Sequence, residues 1–119
     1  MSQELASLID LAWEGRASLT PQNSPEVRDA VERVISGLNN GSLRVAERQG
    51  VGQWKVNQWV KKAVLLSFRL TDNKVINAGD LSFYDKVQTK FAHLDEAQMR
   101  ETGVRVVPPA VARRGSYLA

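Results

Sequence analysis

From Ser24 to Gly41 the apolar residues recur with a helical period, and the stretch is punctuated at both ends. Val27, Ala30, Val31, Val34, Ile35 and Leu38 fall on one stripe, the pattern of a helix with a single buried face. Ser24 supplies an oxygen that can accept a bond from a free backbone N–H. Pro25, at the first helical position, gives up a donor that has no partner there. Asn39-Asn40-Gly41 supplies a left-handed stop. Two further stretches read the same way. Leu5, Leu8, Ile9, Ala12 and Trp13 mark a helix over 3–16 that ends at Gly15. Trp59, Val60, Ala63, Val64, Leu66 and Phe68 mark another over roughly 58–70, with Asn57 as its cap. The last is apolar on more than one side, as in a helix at the middle of a core, and Lys61 and Lys62 mark its wet edge.

Between the second and third helices the period changes to two. Leu43 and Val45 alternate with Arg44 and Ala46, and Trp54 and Val56 flank Lys55 beyond Gln49-Gly50-Val51-Gly52. The reading is a hairpin that leans on the helices, because two strands alone are marginal. Residues 74–92 have no clean period. Val75-Ile76 reads as a short strand, Asn77-Ala78-Gly79-Asp80 as a turn, and the rest as an irregular loop. Asp95 caps a short helix that Gly103 closes near Thr102. Val104-Arg105-Val106-Val107-Pro108-Pro109 is extended, from its β-branched residues and the restraint each proline places on its predecessor. The expected fold class is α+β, mostly helical, with about four helices plus a β-hairpin. The expected division is a helical domain over 1–103 and an extended segment over 104–119. A chain that turns extended and then stops reads as one cut at the start of a further domain.

The 119 residues make one ordinary domain, large enough to bury roughly two-thirds of its unfolded surface. The absence of cysteine removes disulfides, thiolate metal sites and a cysteine nucleophile. There is no bilayer-spanning apolar run and no signal-peptide pattern, which favours a cytoplasmic location without membrane association. The net charge of +3 is small, and acidic residues are interspersed through most of the chain. The tail differs: Arg105, Arg113 and Arg114 have no acidic neighbour in sequence.

Chemistry-bearing clusters are few. His93 is the single histidine, with nothing marking a triad or a metal site around it, so it reads as a surface or packing residue. Gly50-Val51-Gly52 lacks the later glycine and the lysine of a phosphate loop. Lys61-Lys62 reads as a solvated rim, and Trp13, Trp54 and Trp59 as core, ahead of a nucleic-acid surface. Arg105 stands apart, between valines and just before two stiffening prolines. Its planar, permanently charged fork suits a carboxylate. Two readings from other classes remain. One is a basic helical module for nucleic acid using Lys61, Lys62 and Arg69, and the other is a bare subunit-assembly domain.

Several stretches, in order, carry a resemblance. They are Gly41-Ser-Leu-Arg-Val-Ala-Glu47, Asn57-Gln-Trp-Val-Lys-Lys-Ala-Val-Leu-Leu-Ser-Phe-Arg69, Phe83-Tyr-Asp-Lys-Val87, Lys90-Phe91 and Gly103-Val-Arg-Val-Val-Pro-Pro109. Together they resemble the N-terminal part of the bacterial tetrahydrodipicolinate N-succinyltransferases, over nearly the whole chain. The resemblance implies a cytoplasmic homotrimer whose helical N-terminal domain precedes a left-handed parallel β-helix of hexapeptide repeats. It implies transfer of succinyl from succinyl-CoA to a dicarboxylate of the diaminopimelate and lysine pathway, at sites between neighbouring subunits. It implies a substrate-binding role for Arg105. No hexapeptide repeat is present, so the coenzyme A site and the family's catalytic acidic residues fall on no residue here, and the expectation is that these 119 residues alone have no turnover. Gln88-Thr89 stands where the family often has proline, which leaves the loop shape there open.

Overall fold

The computed structural model describes residues 2–119. In chain order its elements are α1 (Ser2–Glu14), a 3-10 turn at Arg16–Ser18, α2 (Pro25–Asn40), β1 (Ala46–Gly50) and β2 (Gln53–Val56). Then come α3 (Gln58–Arg69), β3 (Lys74–Ala78), β4 (Leu81–Asp85) and α4 (Glu96–Thr102). The mostly helical α+β character is as expected, with two separate two-stranded sheets among the described residues, one more than the sequence reading held.

The apolar stripes of α1, α2 and α3 face one another, and each of the three helices packs on the other two. Their core contains Ile9, Ala30, Val31, Val34, Leu38, Val60, Ala63, Leu66 and Leu70. Covering a side chain of the size of Ile9 or Leu66 removes it from water at a gain of about 1.5–3 kcal/mol. Trp13 and Trp59 are half-buried against this cluster. The covered face of α3 is one stripe, Val60, Ala63, Leu66 and Leu70, and Leu65 on the same helix stays 39% exposed.

The helix boundaries agree with the apolar pattern, but two of the expected caps do not form. The Ser24 hydroxyl donates to Asn23 Oδ1 at 2.6 Å and makes no cap bond. The Asn57 amide donates to the carbonyl of Arg44 at 2.8 Å, so it ties α3 to the segment before β1 and leaves the helix N–H groups without a side-chain acceptor. At α4 the reading holds in full. The Asp95 carboxylate accepts from the Gln98 N–H at 2.8 Å and the Gln98 side chain accepts from the Asp95 N–H at 2.9 Å, a reciprocal capping box.

The first hairpin forms, displaced from its expected place. Leu43 and Val45 are outside it. The Leu43 N–H bonds to the Gly37 carbonyl at 3.0 Å, and its side chain fills the space where Gly37 lacks a Cβ. Leu43 therefore packs on α2, and pairing starts only at Ala46↔Val56. Nor does this hairpin lean on the helices through its apolar residues. Trp54 is 63% exposed and Val56 is 51% exposed, which overturns the placement of Trp54 in the core.

Residues 74–85, expected to be mostly loop, form a second hairpin with Val75↔Tyr84 and Ile76↔Phe83 pairs. Its two-residue connection is Gly79-Asp80, and Gly79 has φ +65°. Positive φ at the first central position is what a tight hairpin turn of this hand requires, and glycine adopts it without a Cβ clash.

Candidate functional site

Arg105 lies two residues beyond the left-handed stop of α4, where Gly103 has φ +71°. Residues 104–107 leave the helix without a partner strand, and Pro108-Pro109, a cis pair, follows. Arg105 is exposed and makes no side-chain hydrogen bond or ion pair with any described residue.

The other two arginines of the tail are held, which corrects the view that the tail's positive charge is unopposed. Arg113 Nη2 donates to Asp85 Oδ2 at 2.8 Å. The Arg114 guanidinium donates to both carboxylate oxygens of Glu32 on α2 and to the Ser36 hydroxyl at 3.2 Å. These partners are 28 and 82 residues away in sequence.

Backbone bonds complete the docking of the tail. The Lys90 N–H donates to the Ala112 carbonyl and the Arg114 N–H to the Gln88 carbonyl, both at 2.8 Å, around the Thr89↔Arg113 bridge. Lys90 Nζ donates to the Asn39 carbonyl at 2.8 Å, to Asn39 Oδ1 at 2.9 Å and to the Ser116 carbonyl at 2.6 Å. A cation there meets the negative end of α2 and satisfies a carbonyl with no partner inside the helix. Burial pulls the Lys90 pKa below its ordinary 10.5. Tyr117 lies over Gly41 with the Arg44 guanidinium 4.5 Å from its ring centroid. Residues 112–117 thus grip the end of α2, whereas 104–107 carry Arg105 outward.

The chain matches, over residues 4–70, the family model described as tetrahydrodipicolinate N-succinyltransferase N-terminal. It is 71% identical to the 2,3,4,5-tetrahydropyridine-2,6-dicarboxylate N-succinyltransferase of Albidiferax ferrireducens. It is 68% identical to the protein of that name from an Acidovorax species and 65% to that of Variovorax paradoxus. The matches cover 100% of this chain and 44%, 44% and 43% of those relatives. The chain belongs to the tetrahydrodipicolinate N-succinyltransferase N-terminal family. It spans less than half the length of the curated relatives it matches. The matched interval of the family model takes in α1 to α3 and the first hairpin; Arg105 lies beyond it, within the stretch shared with the relatives.

The remaining candidates from the sequence scatter. His93 is exposed and makes no side-chain hydrogen bond with the described residues. Lys62 Nζ pairs with Asp10 Oδ1 of α1 at 3.0 Å, so one of the two adjacent lysines offered for nucleic acid is already neutralised, while Lys61 and Arg69 are exposed. Among the described residues no group of three or more His, Cys, Asp or Glu is placed to hold a metal ion, and no helix is long and apolar enough to cross a membrane. Sequence reasoning missed Lys90, Arg113 and Arg114 as organisers of the tail. Only an acceptor far away in the chain gives them that role, and no local pattern announces it.

Proposed function

We propose that this chain is the substrate-side domain of a succinyltransferase, in which Arg105 holds a carboxylate of the dicarboxylate acceptor. The relatives' shared name gives the reaction, transfer of a succinyl group to the nitrogen of an acceptor derived from 2,3,4,5-tetrahydropyridine-2,6-dicarboxylate. The observation that carries the assignment of Arg105 is its exposed guanidinium, without a side-chain partner among the described residues, on a segment that runs into two prolines, whereas Arg113 and Arg114 are tied to Asp85 and Glu32. An unpaired guanidinium can offer two parallel N–H groups to an incoming carboxylate.

In this reading the acceptor amine attacks the thioester carbonyl of succinyl-CoA. The C–N bond forms, the amine proton passes to a general base, the tetrahedral oxyanion collapses with cleavage of the C–S bond, and the base returns that proton to the departing sulfur so that coenzyme A leaves as its thiol. In this proposal the base and the oxyanion donors come from the part of the enzyme beyond the stretch shared with this chain, which is 44% of the Albidiferax ferrireducens relative. The proposal includes a trimeric, cytoplasmic enzyme of the diaminopimelate and lysine pathway with sites between subunits, and no turnover from these 119 residues alone.

The test is Arg105→Ala in the full-length succinyltransferase. Loss of a charge-assisted pair of hydrogen bonds is expected to raise KM for the dicarboxylate about 10- to 100-fold while KM for succinyl-CoA stays within about twofold. Equal effects on both substrates would remove Arg105 from the acceptor site.

A further inference from the structure

A cleft of about 360 Å³ opens between α2, the end of α3 and the docked tail, and Arg105 does not line it. Its floor includes Val31, Ile35, Leu70 and Val87. Its walls carry Arg28, Lys74, Lys86 and Arg114, against the single carboxylate of Glu32. That carboxylate is already bound through both oxygens to Arg114.

Three of the four cations are fixed by the fold itself. Arg28 Nη2 donates to the carbonyls of Pro21 and Leu70, and Lys86 Nζ donates to the Phe68 carbonyl at 3.2 Å. The bonds to Leu70 and Phe68 satisfy carbonyls at the end of α3, where a cation also offsets the negative end of the helix, and the bond to Pro21 ties Arg28 to the connector before α2. They do not exhaust the donors. Arg28 keeps its Nε and Nη1 hydrogens, Lys86 keeps two of three, and Lys74 makes no side-chain hydrogen bond to the described residues. Thr71 adds a hydroxyl at the same wall.

We propose that this cleft is an anion site for a small organic molecule bearing a doubly charged oxyanion on a short apolar body. A dicarboxylate and a phosphate monoester share that chemistry. The charges suit a dianion, because a monoanion leaves most of the local positive charge unopposed. The apolar floor suits an organic body. Cations already held by backbone carbonyls lose little freedom when the ligand arrives, so little of the interaction is spent on ordering them. Arg114 reaches the cleft only from the docked tail, so occupancy and tail docking favour each other.

The experiment is a titration of the isotopically labelled 119-residue chain with glutarate, with methyl phosphate and with butyrate, followed by backbone amide shifts. Saturable changes are expected at Thr71, Lys74, Lys86 and Gln88 with at least one dianion, at least fivefold tighter than with butyrate; which dianion binds tighter identifies the source. Lys74→Met removes an exposed cation and leaves the fold intact. It is expected to weaken the tighter dianion at least fivefold, while Lys61→Met, on the exposed side of α3, leaves it unchanged. Absence of saturation, equal binding of butyrate, or equal losses from Lys61→Met and Lys74→Met overturn the proposal. A failure of the Arg105 reading leaves this result untouched, because the two are scored on different residues.

Discussion

In α3, Val60, Ala63 and Leu66 are fully covered and Leu70 is 2% exposed, whereas in the hairpin just before it Trp54 keeps 63% of its surface and Val56 keeps 51%. Both stretches are apolar and both have clean periods. The difference lies in how many neighbours the fold can bring to a face. A helix between two other helices has its stripe covered from both sides. A two-stranded sheet with no helix packed closely on it leaves more than half of Trp54 and Val56 in water. An apolar pattern therefore fixes which side chains share a face, and the surrounding elements decide whether that face is dry.

The sharpest way to break this contrast is to truncate one side chain from each region. Leu66→Ala leaves a void in a fully covered site and is expected to cost about 2–5 kcal/mol of stability. Trp54→Ala removes a far larger side chain and is expected to cost less than about 0.5 kcal/mol, because most of it is already in water. Chemical denaturation of both variants gives the two numbers. Comparable losses would mean that the hairpin is covered in solution by something the contrast omits.

The same contrast explains what could be read from the sequence. The three core helices were legible because Val27 to Leu38 and Trp59 to Phe68 repeat every three or four residues and end at recognisable stops. The Asp95 cap of α4 was legible because the capped N–H lies within one turn; its reciprocal partner Gln98 was not part of that reading. The β4 strand was not. In Leu81-Ser82-Phe83-Tyr84-Asp85 the outward Tyr84 is 71% exposed and aromatic, which blurs the alternation that marks Phe83 as an inward residue. The signal that could have found it is Gly79-Asp80, a two-residue hairpin turn between two apolar pairs. The start of the first hairpin was misplaced because Leu43 packs back under Gly37 at the end of α2 before the chain turns into the strand. For the tail, the departure of residues 104–107 from helical structure was legible. The capture of Arg113 and Arg114 was not, since Asp85 and Glu32 lie far outside any local window.

Where the docked tail meets the helices, a smaller effect sharpens the comparison. Gly41 has φ +86°, and a Cβ there would stand 2.8 Å from the Tyr117 ring. Gly41→Ala combines backbone strain with that clash and is expected to cost about 1–3 kcal/mol. Adding Tyr117→Ala is expected to recover only the part due to the clash. Full recovery would show that the left-handed backbone carries no strain, and no recovery would show that the ring does not rest there in solution.

The smallest effect belongs to an exposed contact between the end of β4 and the tail. The backbone N–H of Lys86, then the Arg113 guanidinium and the Val87 N–H, hold the Asp85 pKa below its ordinary 3.8, against a smaller opposing push from burial. Because the folded-state pKa is the depressed one, the contribution to stability is present above the unfolded value of 3.8 and is lost as the pH falls through the lower, folded value. Carbon-detected titration of the Asp85 carboxyl is expected to give a midpoint below 3.8. In Arg113→Gln the midpoint is expected to rise part of the way only, because the Lys86 N–H, the larger influence, remains. A complete return to 3.8 would make the tail arginine, and not the turn after β4, the group that fixes this carboxylate.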